Sequence, residues 1–336
     1  MFIYYICYIV YMKKKLGLAL AGGAAAGLCH IGVLKVFEDN EIYINSISGV
    51  SFGALIGGLY CSGYSAYKIE DIAKQTDWQR LLDFTLPINS FIRGRKIENK
   101  IRDLVKNKQF NELSPRLVIT ATNLDSGSEV VFRDGDLTSA IRASIAIPGI
   151  IAPKRINKQR FCDGALVDPT GVLGLKGKYD VLVAVDLSAP FETSIKLIKS
   201  KITKENELIG AIGNNIVGNF LKLVKKNIRE KKFKKLPRLL GNTVETIFDR
   251  LFTPSRLMNF FSGSISPQMV DIVLRANQIV TNRLYNLNFE IVKPDIIIKP
   301  KRSYLGWVDF ENVDEFVAAG ERAAKKALPR IKKLLK

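Results

Sequence analysis

The chain has 336 residues, 47% of them hydrophobic, with 51 Lys and Arg against 32 Asp and Glu, a formal net charge of +19. That size supports one large α/β core, alone or with an appended lobe. The four cysteines, Cys7, Cys29, Cys61 and Cys162, have neither C-x-x-C spacing nor metal-ligand neighbours, which argues against a zinc site and for reduced, cytosolic thiols.

Met1–Met12 is almost wholly apolar and aromatic, and Lys13-Lys14-Lys15 follow. The run is shorter than the about 20 apolar residues of a spanning helix. Its positive charge follows the apolar stretch, the reverse of a signal peptide. Residues 1–15 read as an N-terminal extension, a start assigned too early with Met12 as the initiator; an interfacial anchor is the alternative.

Leu16–Ala21 then reads as a buried strand. Gly22-Gly23-Ala24-Ala25-Ala26-Gly27 is a small-residue turn, and Leu28, Ile31, Val33, Leu34 and Phe37 recur at helical spacing. Such a turn lets backbone N–H groups point at an anion over a helix N-terminus. A dinucleotide fingerprint would need glycine at Ala24, and a P-loop would need Lys-Ser/Thr where Leu28-Cys29 stand. An oxyanion hole, with preorganised N–H donors for an acyl-transfer transition state, fits better.

Between the strand-like run Ile42–Ile47 and the stretch Ala54–Tyr60 lies Gly49-Val50-Ser51-Phe52-Gly53, the spacing of a nucleophile elbow. There a strand turns sharply into a helix, and glycines two places either side relieve crowding around the serine. A serine hydroxyl needs a base. The single histidine, His30, precedes the serine and falls in a first helical turn, the wrong order for a Ser-Asp-His triad. It reads instead as a helix-start residue bonded to nearby backbone, so the base should be a carboxylate or a lysine.

Further strand-like runs at Leu117–Thr122, Glu129–Phe132 and Val181–Val185 alternate with helical patterns, one of them Thr138–Ala146, which Pro148 ends. Together they predict a three-layer α/β/α sandwich around a mainly parallel sheet. Arg142 and Ser144 lie just ahead of the segment Arg160–Ala165, where Asp163-Gly164 forms a turn and supplies the best carboxylate. Cys29 and Cys162 flank the site in sequence and read as small packing residues.

The order of glycine-rich turn, Gly-x-Ser-x-Gly elbow and Asp-Gly-Ala resembles the patatin-like phospholipases. Segments such as Thr120–Leu124 and Ala140–Gly149 look most like the bacterial branch related to neuropathy target esterase. The resemblance implies Ser51 as nucleophile and Asp163 as base. It implies the N–H groups of Gly22, Gly23 and Ala24 as oxyanion hole, with Gly27, Gly49, Gly53, Gly164 and Ala165 supporting the motifs. The implied reaction is hydrolysis of phospholipid or lysolipid acyl esters by a Ser-Asp dyad, with no cofactor and no metal. A general carboxylesterase or thioesterase and a catalytically silent lipid-binding protein are the alternatives. Two departures stand out: Ala24 replaces the third glycine of the loop, and Ala26 stands where the family usually has Arg or Lys. The missing cation argues for a weakly charged substrate such as a lysolipid, a glyceride or a simple ester.

These patterns place the catalytic core at 16–189, a lysine-rich helical insertion or lid at 190–294, and a return strand and closing basic helix, Val313–Leu335, in 295–336. Ile209, Ile212, Ile216, Val217, Phe220, Leu223 and Val224 recur at helical spacing, followed by the basic cluster in 222–238. Beside a lipid-ester site that cluster suggests a cytoplasmic protein that docks peripherally on anionic lipid at the inner face of the membrane. A solvated helix face is the competing reading. Aromatics within the cluster are few, essentially Phe233, and no base-reading motif is present, so nucleic acid is not expected as a partner.

Overall fold

A computed structural model describes residues 14–83, 90–188, 267–301 and 309–336. Contacts group the chain into two units, Met1–Pro190 with Asn277–Lys336 and Phe191–Ala276. The second unit lies almost wholly outside the described residues, and so do the N-terminal extension and the basic cluster 222–238. No helix among the described residues is long and apolar enough to cross a membrane.

The first unit is built on one mixed sheet. Its strands are β1 (Leu16–Leu20), β2 (Ser46–Val50), β3 (Arg116–Asn123), β4 (Glu129–Phe132), β5 (Lys154–Ile156), β6 (Gln159–Asp163), β7 (Val181–Val185) and β8 (Ile296–Ile298). β3, β2, β1, β7 and β8 run parallel, while β4 and β6 lie antiparallel to β3, and β5 is antiparallel to β6. The described helices are α1 (Cys29–Asp39), α2 (Phe52–Cys61), α3 (Ala66–Gln75), α4 (Arg95–Val105), α5 (Leu137–Ser144), α6 (Pro267–Val292) and α7 (Val313–Leu335).

The sheet's two faces are covered differently, as its residue alternation requires. Leu16, Leu18 and Leu20 of β1, Ile47, Leu117, Ile119, Val181, Val183 and Val185 point into the large core that α1, α2, α5 and α7 close. On the other face Ala19, Leu182 and Ala184 meet Val172, Leu175, Phe289 and Val292, so this layer is made of the turns after β6 and the end of α6. Small side chains there let chain approach the sheet closely. A Cβ on Gly17, for example, would lie 2.8 Å from the Tyr179 ring.

On the helical face α7 crosses α1 at Gly32 and Gly320, where any Cβ would overlap the partner helix's backbone. Lys35 of α1 bonds Glu70 of α3 at 2.8 Å and Glu321 of α7 at 2.7 Å, joining the three helices.

The predicted runs Glu129–Phe132, Val181–Val185 and Val313–Leu335 match their elements. The strand expected at Ile42–Ile47 forms four residues later. Asn45 starts the pairing instead, donating its N–H to Leu16 O at 2.9 Å and accepting from the Leu16 N–H through its side chain at 2.8 Å. Of Ile42–Ile44 only Ile44 is buried, Tyr43 being 64% exposed, so this apolar stretch marks neither pairing nor continuous burial, whereas Ser48-Gly49-Val50 looks loop-like and is fully buried strand.

Candidate active site

Strand register alone brings the two key residues together. β4 occupies one edge of β3 along Ile119–Thr122. A strand has only two edges, so β2, paired along Arg116–Thr120, and β6, paired along Ala121–Asn123, share the other. β2 runs parallel to β3 and ends with Val50 opposite Thr120; β6 runs the other way and ends with Asp163 opposite Ala121. The strands therefore meet head to head at consecutive register positions, with Ser51 and Asp163 at the junction.

Ser51 has φ 52° and ψ −122°, a conformation that non-glycine residues rarely adopt and that costs about 1–3 kcal/mol. Tight surroundings enforce it. A Cβ on Gly53 would overlap the Leu20 carbonyl, and one on Gly49 would press on Ala54 and the Gly53 carbonyl. The Ser51 N–H, beyond the end of the β2–β3 ladder, donates to Ser144 Oγ at 2.8 Å, and Ser144 Oγ donates to Thr120 O at 2.7 Å. Ser144 thus continues the ladder through a side chain from α5. Helix α2 begins at the next residue, so its positive end lies beside the serine.

Ser51 Oγ donates to Asp163 Oδ2 at 2.7 Å. The other carboxylate oxygen accepts from the Ala165 N–H at 2.9 Å, Thr122 Oγ1 donates to the Asp163 carbonyl at 2.8 Å, and the Asp163 N–H donates to Ala146 O at 2.9 Å. Gly164 follows in contact with the Thr120 carbonyl, where a side chain would not fit. Ser51 is 6% exposed and Asp163 4%. Burial raises the Asp163 pKa to about 6, with the Ala165 N–H and the Ser51 hydroxyl pulling it back.

His30 lies in α1, fully buried, with Nε2 bonded to Ala21 O at 2.8 Å. Burial lowers its pKa to about 4, so it is neutral at pH 7 and fastens the end of β1 to the start of α1. Two clefts of about 400 and 680 Å³ share Tyr43, Ser114 and Pro115 in their linings and open at the opposite end of the strands, away from Ser51 and Asp163.

Residues 18–176 match the family model described as patatin-like phospholipase. The chain carries a patatin-like phospholipase domain. It is 35% identical over 180 residues to an uncharacterized NTE family protein of Mycobacterium bovis, covering 52% of this chain and 50% of that protein. It is 31% identical over 188 residues to a lysophospholipase NTE1 of Yarrowia lipolytica, covering 54% of this chain and 13% of that protein. Among solved structures, VipD from Legionella pneumophila aligns with a TM-score of 0.39 at 14% identity, over 59% of this chain and 56% of VipD. The chain spans about half the length of the mycobacterial relative it matches.

Within the patatin-like domain, the glycine-rich loop differs from expectation at Gly22. The Gly22 N–H already donates to Pro169 O at 2.9 Å, which removes it from the donor set predicted around Gly22, Gly23 and Ala24. The N–H groups of Gly23 and Ala24 have no acceptor among the described residues. Ala24 adopts φ 47°, the left-handed region that a glycine would enter without strain. Ala26 is 1% exposed and packs in the main core, so the position of the family's usual cation is here a packing position. Gly27 lies against the Phe52 ring.

Three further residues hold this loop and the turn after Asp163, and none was singled out from the sequence. Tyr285 Oη donates to Gly22 O at 2.9 Å, and Asn288 Nδ2 to Asp168 Oδ1 at 2.8 Å. The Asp168 carboxylate also accepts from Thr170 N–H and Oγ1, Gly171 N–H and Leu173 N–H. All three side chains are buried polar groups whose partners lie far away or in an irregular turn, and periodicity does not mark such groups.

Among the described residues no cluster of His, Cys, Asp and Glu could hold a metal ion. Cys29 and Cys162 are buried, and burial raises the Cys162 thiol to about 11, in keeping with packing roles.

Proposed function

We propose that this protein is a serine hydrolase that cleaves carboxylic ester bonds of phospholipids or lysolipids. The observation that carries the reading is the 2.7 Å hydrogen bond from Ser51 Oγ, on a strained turn, to a buried Asp163 carboxylate, beside the Gly23 and Ala24 amides, which have no acceptor among the described residues. Ser51 Oγ attacks the ester carbonyl as its proton passes to Asp163 Oδ2. Charge developing on the carbonyl oxygen is met by the N–H groups of Gly23 and Ala24. The tetrahedral adduct collapses as Asp163 returns the proton to the departing alcohol. Water then attacks the acyl-enzyme, losing a proton to Asp163, and Ser51 is regenerated as the fatty acid leaves.

A carboxylate at its ordinary pKa is a poor base for a serine. Raising Asp163 to about 6 narrows the mismatch by about two pKa units, roughly 3 kcal/mol, and moves the base towards the pH at which it works. Ala26, buried where a cation would otherwise stand, favours substrates of low headgroup charge. The basic segment 222–238 is assigned to docking on anionic lipid, and its contribution should decline as salt rises in liposome flotation.

A fluorophosphonate probe tests the nucleophile: it should label Ser51 in the wild-type chain and fail to label Ser51→Ala. His30→Ala should keep its labelling, because a neutral histidine bonded to Ala21 takes no part in the chemistry. A folded wild-type chain that is never labelled would favour the silent lipid-binding alternative.

A further inference from the structure

We infer that Tyr285, on α6, is a positioning residue for the oxyanion hole, aiming the Gly23 N–H by holding the carbonyl of Gly22. This rests on the hydrolase reading above.

The Gly22 carbonyl and the Gly23 N–H belong to one planar trans peptide unit and point in opposite directions. Fixing one end of that plane fixes the other. Tyr285 Oη donates to Gly22 O at 2.9 Å, which turns the Gly23 N–H away from Tyr285. The preceding peptide is held as well, because the Gly22 N–H donates to Pro169 O at 2.9 Å. Gly22 is packed against the nucleophile: a Cβ there would lie 3.3 Å from Ser51 Cβ.

The second anchor also leads back to α6. Pro169 follows Asp168, whose carboxylate binds the turn's own N–H groups and Asn288 Nδ2, three residues beyond Tyr285 on the same helix. Both hydrogen bonds of Gly22 are thus referred to one helix remote in sequence. Tyr285 is 3% exposed, so water does not readily substitute for its hydroxyl. A glycine pair with one extended residue, Gly23 at φ 171°, can turn its peptide plane easily, and this is where an external hold matters for preorganisation.

Tyr285→Phe removes the donor and keeps the ring packed against Phe289, whose centroid is 6.1 Å away. With p-nitrophenyl butyrate as substrate, kcat should fall about 10- to 100-fold with KM within about twofold, less than the loss expected for deleting a donor outright. Affinity for a trifluoromethyl ketone, which forms a tetrahedral adduct with the serine, should fall by the same factor as kcat. A merely structural role would not produce that correspondence.

A readout independent of turnover is also available. The sequence contains two Gly-Gly pairs, Gly22-Gly23 and Gly57-Gly58, so glycine labelled with carbonyl ¹³C and ¹⁵N isolates the amides of Gly23 and Gly58 in a carbonyl-filtered spectrum. Tyr285→Phe should move the Gly23 resonance and leave Gly58 in place. Tyr285→Met carries the same expectations, so poor folding of one variant leaves the other as the test. Wild-type kcat and ketone affinity, or an unmoved Gly23 resonance, in a folded variant would overturn the role of Tyr285. A wild-type chain inert to the ester and unlabelled at Ser51 would instead overturn the hydrolase reading, and the role in catalysis with it.

Discussion

The two turns that meet at the dyad are held by opposite means. At the end of β2, Ser51 is forced into a strained conformation by backbone passing close on both sides. At the end of β6, Asp163 has ordinary angles, φ −50° and ψ 132°, and is held by hydrogen bonds from Ala165, Thr122 and Ser51 and by its own N–H on Ala146. Crowding selects glycine at fixed offsets and so leaves a mark in the sequence. Hydrogen bonds from remote residues leave no pattern of spacing. The elbow is accordingly visible as five consecutive letters, whereas the acid turn is distinguished only by its order in the chain and its resemblance to a family.

Removing the functional group at either turn should have the largest effect. Ser51→Ala and Asp163→Asn should each lower kcat by about four orders of magnitude in a p-nitrophenyl ester assay, yet differ in stability. Burial raises the folded-state pKa of Asp163 from 3.8 to about 6, so the native state holds this proton more tightly than the unfolded chain. Its contribution to stability is fully present below pH 3.8 and is lost as pH rises through 6. Asp163→Asn, neutral at every pH, should therefore exceed the wild type at pH 8 by up to roughly 3 kcal/mol in urea unfolding, while being inactive. In the wild type, kcat/KM should fall about tenfold for each pH unit below about 6, as the base becomes protonated.

Next in size comes the crowding at the elbow. Gly53→Ala places a methyl group on the Leu20 carbonyl, where backbone rather than a flexible side chain must give way. It should cost about 3 kcal/mol or more, measured as a lower urea midpoint. Ser144→Ala probes the hydrogen-bonded support beneath the serine. It leaves the buried Ser51 N–H and Thr120 carbonyl short of a partner, so a loss of about 1–3 kcal/mol and about a tenfold lower kcat are expected. The smallest effect has the opposite sign: Ala24→Gly relieves φ 47° and should stabilise the chain by about 0.5–1 kcal/mol, with kcat within about twofold.

Much of the fold was legible because its strands are either continuous apolar runs or bounded by turn residues, as at Val181–Val185 and Glu129–Phe132. The apolar pattern does not locate β2, because its pairing is set by Asn45 and by room for α2 to cross, not by hydrophobicity. In the site, Ser51 and Asp163 were visible as motifs. Tyr285, Asn288 and Asp168 were not, since one buried hydroxyl, one amide and one carboxylate in irregular or distant segments show no periodicity. The engagement of the Gly22 amide is hidden for a related reason: whether an N–H is free depends on a carbonyl, Pro169, almost 150 positions away.

The head-on meeting of β2 and β6 against β3 has a bearing on how the proposed activity could be controlled. Ser51 and Asp163, the proposed nucleophile and base, ride on a single rigid ladder, so no hinge can part them without tearing the sheet. A switch in this protein would have to work on entry to the pocket or on the tilt of one peptide plane in the loop above it.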